Sequence, residues 1–265
     1  MAGKAAASWF PGHMAAGARA VASLSQLVDA VVEVRDARLP RATAVAPLHA
    51  KLRAKPAFIL LNRADLADPQ ATQAWLASLR GSGRAAFAGV GTSAASLRAL
   101  RSALLTSPRR RGKLKIAVIG APNTGKSSVI NALAHRKRAI AQDRAGVTRH
   151  VRWLRCADGV EVLDTPGVLA PKIVDAEVAW QLALCGSLPE AAFDPEAVAE
   201  SFVAWLRPRR ADLAARLDLQ TFAGAHGMKR RGGELDRRGA ARKLVTMFRS
   251  GAFGRFTFEL PEARS

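Results

Sequence analysis

Three stretches hold residues whose types and spacing suit a phosphorylated ligand. Gly120-Ala121-Pro122-Asn123-Thr124-Gly125-Lys126-Ser127 fits the pattern G-x-x-x-x-G-K-[ST]. Its glycines allow a turn whose N–H groups face phosphate oxygens. In such a turn Lys126 reaches the β- and γ-phosphates and Ser127 binds Mg²⁺. Nucleotide contacts are therefore expected from Asn123, Thr124, Gly125, Lys126, Ser127 and Ser128. Asp164-Thr165-Pro166-Gly167 adds a carboxylate, Asp164, that can hold the same ion through water, and the Gly167 N–H, which can meet the terminal phosphate. Between them, in Gly146-Val147-Thr148, Thr148 is a candidate second hydroxyl ligand for Mg²⁺.

Base choice falls to Asn62-Arg63-Ala64-Asp65, which resembles the N-K-x-D motif of GTPases. A carboxylate at Asp65 accepts from the guanine N1–H and amino group, and Asn62 is expected to serve the O6 side. Adenine presents the reverse donor pattern, and a polar site left unpaired rejects it. Arg63 stands where lysine is usual, and its stem can cover the base. Gly91-Thr92-Ser93-Ala94 matches the last and weakest GTPase motif, in which the backbone of Thr92, Ser93 and Ala94 would contact guanine.

These motifs need a rigid scaffold. Val28–Val34, Ala57–Leu61, Ala86–Val90 and Leu114–Ile119 read as buried strands, and Val151–Arg155 with Val160–Leu163 as a hairpin around Asp158-Gly159. Helices are expected at 46–54, 69–79 and from Lys126 to Ala134, with an alanine-rich helical stretch before Gln26. Strands alternating with helices predict an α/β layered sheet. Beyond residue 175 the pattern turns helical and basic, with Ala241, Leu244, Val245 and Phe248 on one face. The expected organisation is an α/β nucleotide-binding domain at 1–175 and a small helical, basic domain at 176–265.

Motif order is unusual. An ordinary small GTPase begins with the glycine turn and ends with the base-reading motifs, whereas here residues 62–65 and 92–94 precede 120–127. A circularly permuted P-loop GTPase domain accounts for this, because a sheet survives permutation when the old termini lie close together. The joining linker would be Arg109–Lys113, and the chain after Asp164–Gly167 then leads straight into the helical domain, giving nucleotide state a route into it.

Lysine and arginine number 41 against 21 acidic residues, a formal net charge of +20 that calls for a polyanionic partner such as nucleic acid. Cys156 and Cys185 make neither a metal motif nor a disulfide framework. No apolar run approaches about 20 residues, and the first residues do not make a secretory signal. A reducing cytoplasm with no membrane association is expected.

Together with Trp9-Phe10-Pro11-Gly12-His13-Met14, Asp36-Ala37-Arg38-Leu39-Pro40, Gly232-Gly233-Glu234-Leu235-Asp236 and Phe248–Arg255, the permuted order resembles the YlqF/RbgA family of ribosome-assembly GTPases over nearly the whole chain. Arg63, and Arg144-Ala145 where a proline is commoner, depart from the family pattern. The resemblance implies a GTPase that turns GTP into GDP while assisting late assembly of the large ribosomal subunit. Its helical domain would contact ribosomal RNA, and a monomer is expected. Val168 occupies the place of the water-orienting glutamine in Ras-like enzymes and cannot hold water; by resemblance His13 takes that role. Asn123 matches a family asparagine that can help bind K⁺. Asp36 and Arg38 receive no chemical role. Lys229-Arg230-Arg231 and a stripe of Arg238, Arg242 and Arg249 are expected to face RNA. Two rival classes stay open: a nucleotide-gated RNA-binding protein, and an ATPase or nucleotide kinase, against which Asn62–Asp65 counts.

Overall fold

The chain alternates β-branched runs with amphipathic ones, and the structure, a computed structural model, turns that alternation into a layered sheet. It describes residues 27–45, 55–108, 112–134, 140–142, 152–156, 159–164 and 175–262. The strands are β1 (Ala30–Asp36), β2 (Ala57–Asn62), β3 (Ala85–Gly89), β4 (Leu114–Gly120), β5 (Ile140–Gln142), β6 (Arg152–Arg155) and β7 (Val160–Asp164). They lie in the order β3-β2-β1-β4-β7-β6-β5, with β1 to β4 and β7 parallel and β6 and β5 antiparallel at one edge. β4, which leads into the glycine turn, is central. The base-motif strands β2 and β3 are on one side of β1, and β7 is on the far side of β4. Spatial order thus departs from chain order, as in other doubly wound sheets. The 140–142 strand and the helix at 98–105 were not expected from the sequence; the first is only three residues, too short for a periodic signal.

Both faces are covered. Helix α1 (Pro69–Gly81) begins at Asp68, whose carboxylate accepts from the Ala71 N–H, and packs Trp75, Leu76 and Leu79 over Ile59, Leu61 and Ala86. Helices α2 (Arg98–Leu105) and α3 (Lys126–Leu133) cover the other face, where Leu100, Leu104, Val129, Ile130 and Leu133 meet Val32, Val34, Leu60, Ile116 and Val118. Alternate residues of one strand therefore feed opposite cores, which makes these strands nearly continuous in hydrophobicity. On β1 that run is interrupted by Glu33 and Arg35. They pair at 2.9 Å while buried, Glu33 accepts from the Val45 N–H, and Arg35 donates to Pro40 O. The pair pins the loop after β1 down on the sheet.

The described residues fall into two compact units. The second holds α4 (Ala176–Cys185), α5 (Pro195–Leu206), α6 (Ala211–Leu217), α7 (Leu219–Ala225) and α8 (Arg237–Arg249). Asp175, Asp194, Asp218 and Asp236 cap α4, α5, α7 and α8 by accepting backbone N–H bonds. Its core is apolar: Phe202 meets Phe248 edge-on at 5.0 Å, and Leu206, Leu213, Leu217, Phe222 and Leu244 are buried. This unit ends at Gly254, and residues from Arg255 onward belong with the sheet. The sequence places them in the helical domain; their backbone instead bonds to loops of the sheet unit. None of the described helices is long and apolar enough to cross a membrane.

Candidate functional site

The carboxyl ends of the parallel strands bring the motifs to one edge, where open α/β sheets bind ligands. Register pairs Val34 with Gly120, Asp36 with Asn62, Asn62 with Gly89 and Val118 with Asp164. At the end of β4, Gly120 admits no side chain, because a Cβ there would run into Val34 O. Asn123 and Gly125 both take left-handed backbone, φ 56° and 90°. Gly125 lies so close to the Asn62 amide that a Cβ would displace it. The glycines at the two ends of the motif thus have a steric reason.

Within the turn, Thr124 is fully buried and its hydroxyl donates to Ala121 O at 3.0 Å. Lys126 opens α3 and folds its ammonium back over the loop to Ala121 O at 2.9 Å, leaving the residue only 8% exposed. Ser127 is exposed in the first turn of α3 and Ser128 is half-buried. A hydroxyl so placed beside an ammonium and a helix N-terminus fits a hard cation shared with phosphate oxygens.

Asn62 does not face outward. Its Nδ2 donates to Thr124 O at 2.7 Å and its Oδ1 accepts from the Gly91 N–H at 2.7 Å. Sequence reasoning gave this amide to guanine O6. In the structure residue 62 closes β2, and one N–H and one lone pair of this amide bind the main chain at the junction of three loops. Arg63 is likewise engaged with the rest of the sheet edge. From a left-handed backbone, φ 60°, it donates from Nη2 to Asn123 O at 2.7 Å and from Nη1 to Asp36 Oδ2 at 3.0 Å. Asp65 follows with its carboxylate exposed in the turn. Beyond Gly91, Thr92 is exposed and Ser93 and Ala94 are half-buried, in a turn closed by Ser93 N–H to Val90 O at 2.8 Å.

Asp36 is the group the sequence left without a role. It is fully buried and accepts from the Arg38 N–H, Nε and Nη2 at 3.0, 2.9 and 2.8 Å. Burial pushes its carboxyl up, but the Arg38 and Arg63 guanidiniums and their hydrogen bonds outweigh this and hold it below the ordinary carboxylate value. The closing segment packs on this end of the sheet. Phe256 N–H donates to Leu66 O and Phe258 N–H to Arg38 O, Trp75 Nε1 donates to Glu259 O, and the Glu259 carboxylate accepts from the N–H groups of Arg41 and Ala42. Burial raises the Glu259 pKa against these bonds and the nearby Arg41 and Arg35 charges. Asp36 had a sequence signal, the Asp-Ala-Arg-Leu-Pro pattern; Glu259 had none.

His13, Thr148, Gly167 and Val168 lie outside the described residues, as do the expected helix at 46–54, the stretch before Gln26 and most of the Arg109–Lys113 linker. Asp164 ends β7 beside β4, and only its backbone is described. In the helical unit Arg231, Arg238, Arg242 and Lys243 are exposed. Arg249 leaves the expected basic stripe: its Nε and Nη2 donate to Leu184 O and Ala183 O, capping the last carbonyls of α4.

The sequence model of a family described as 50S ribosome-binding GTPase matches residues 115–199. Ribosome biogenesis GTPase A of Thermotoga maritima is 32% identical over 256 residues, covering 96% of this chain and 95% of that protein. A solved GDP-bound YlqF aligns with TM-score 0.70 and 32% identity over 91% of this chain and 98% of its own. GNP-bound YlqF from T. maritima gives TM-score 0.71 and 30% identity over 92% and 97%.

Proposed function

Since the chain belongs to the YlqF/RbgA family of circularly permuted ribosome biogenesis GTPases, we propose that it binds and hydrolyses GTP while assisting late assembly of the large ribosomal subunit, and that the ribosomal particle stimulates its turnover. The observation that carries this is the junction at the sheet edge. A glycine turn with Lys126 folded over it is hydrogen-bonded through Asn62 and Arg63 to the loop that presents Asp65. Phosphate and base recognition are thereby built as one site.

In this reading Asp65 pairs with guanine, Asn62 serves its O6 side while tying the loops together, Arg63 covers the base, and the backbone of Thr92, Ser93 and Ala94 lines it. Asn123, Thr124, Gly125, Lys126, Ser127 and Ser128 hold the phosphates, joined by Gly167. Mg²⁺ held by Ser127, Thr148 and Asp164 supplies charge neutralisation, and K⁺ beside Asn123 adds to it. His13 orients the water that Val168 cannot. Arg231, Arg238, Arg242 and Lys243 give the helical unit a cationic surface for ribosomal RNA phosphates. The protein works as a cytoplasmic monomer away from membranes, and nucleotide state passes through the chain after Asp164 into the helical unit.

Turnover measured with and without purified large ribosomal subunits tests this. Stimulation is expected, and His13→Ala is expected to remove about 10²–10⁴-fold of the stimulated rate while GTP binding persists. Equal turnover in both conditions would instead leave GTP as a passive clamp on an RNA-binding protein.

A further inference from the structure

We propose that Asp36 is a positioning residue for the nucleotide: it fixes the Arg63 guanidinium, which in turn orients the phosphate loop. The inference rests on the nucleotide-site reading given above. A trans peptide points its carbonyl and the following N–H in opposite directions. Arg63 Nη2 draws Asn123 O toward the base-reading loop, and Asn62 Nδ2 draws Thr124 O the same way. The N–H groups of Thr124 and Gly125 must then point away from that loop. Two successive amides so turned form the kind of concavity that receives phosphate oxygens. With Asn123 in left-handed backbone, this orientation needs an external hold.

The hold has to be rigid, and Asp36 supplies that. Arg63 is 30% exposed at its side chain, whereas Asp36 is fully buried at the end of β1 and already clasped by Arg38. One planar guanidinium spans the fixed carboxylate at 3.0 Å and the loop carbonyl at 2.7 Å. A lysine ammonium is a point donor on a flexible stem and lacks this two-ended geometry. The Asp36–Arg63 pair therefore gives this chain an arginine-specific form of the base motif. Through the same pair the Asp-Ala-Arg-Leu-Pro stretch carries the sheet's rigidity into the phosphate loop.

The test compares GDP binding by the full-length parent, Asp36→Asn, Arg63→Met and the double variant, with melting of each followed in the absence of nucleotide. Methionine keeps an apolar stem over the base and removes both charged bonds, so it separates the clamp from mere covering. Each single variant is expected to bind GDP about tenfold more weakly. The double variant should bind no worse than the weaker single, because both changes break one chain. Arg63→Met binding within about twofold of the parent, or losses that multiply in the double variant, would overturn the proposal. Should Asp36→Asn fail to melt cooperatively, Arg63→Met alone decides. Asp65→Asn runs alongside: a shift from GDP toward xanthosine diphosphate upholds the site reading even where the clamp fails.

Discussion

Among the described residues, the sheet unit buries charge and the helical unit does not. Asp29, Glu33, Arg35, Asp36, Arg38, Lys126 and Glu161 are all buried in the former. Among the described residues of the latter the buried polar groups are Gln181 and Ser187, both uncharged. Burying ions costs several kcal/mol each unless geometry and hydrogen bonds offset it. An apolar core with aspartate caps and the Arg249 tie holds the five helices of the helical unit together, with no charge fully buried among the described residues. Loops that must present a fixed array of donors at a sheet edge need directional bonds, which hydrophobic contacts cannot supply. Buried charge therefore marks where position matters more than stability.

That contrast can be sharpened first at the ligand end. Asp65→Asn should reverse the preference between guanine and xanthine nucleotides by up to about 10⁴-fold, measured by competition binding, because a buried polar edge without its partner is strongly penalised. A smaller effect of a different kind is expected in the helical unit. Phe202→Ala removes a fully buried ring from the contact with Phe248 and should cost about 3–5 kcal/mol in urea unfolding. GDP affinity should not change, and a parallel loss of affinity would break the separation of roles between the units.

The two acidic groups of the base side give opposite pH signs. The folded Asp36 pKa is lowered, so its contribution is present above the ordinary carboxylate value of 3.8 and disappears as pH falls through the lower folded value. The folded Glu259 pKa is raised, so its contribution is complete below 4.5 and is lost as pH rises through the higher folded value. Glu259→Gln should accordingly leave the melting temperature at neutral pH within about 3 °C of the parent, and should flatten the pH dependence above 4.5. A large neutral-pH loss would mean that the anion itself anchors the closing segment.

Legibility in the sequence follows the same division. The glycine turn was readable because its residues are local: eight consecutive positions join β4 to α3. The α/β sheet was readable from strand periodicity. The main-chain ties of Asn62 were not readable, because its partners, Thr124 and Gly91, lie 62 and 29 residues away and no local pattern reveals such pairings. Glu33 and Arg35, two positions apart on a strand, do carry a signal, since alternation puts both on one buried face where they must pair. Glu259 carried none. Its partners Arg41 and Ala42 sit in a loop whose fold is set by Asp36, Thr43 and the buried pair on β1.

The bond between Arg41 and Glu259 spans 218 residues of chain. During synthesis at about 5–20 residues per second, Glu259 follows Arg41 by about 10–40 s. Strands β2 to β7 and every nucleotide motif are synthesised within that interval. For that time the Trp75 indole N–H and the backbone donors of Arg41, Ala42 and Asp68 wait for partners that have not yet been made. The loop after β1 and the start of α1 thus gain these partners only after residues 62–167, which carry every nucleotide motif, have been made.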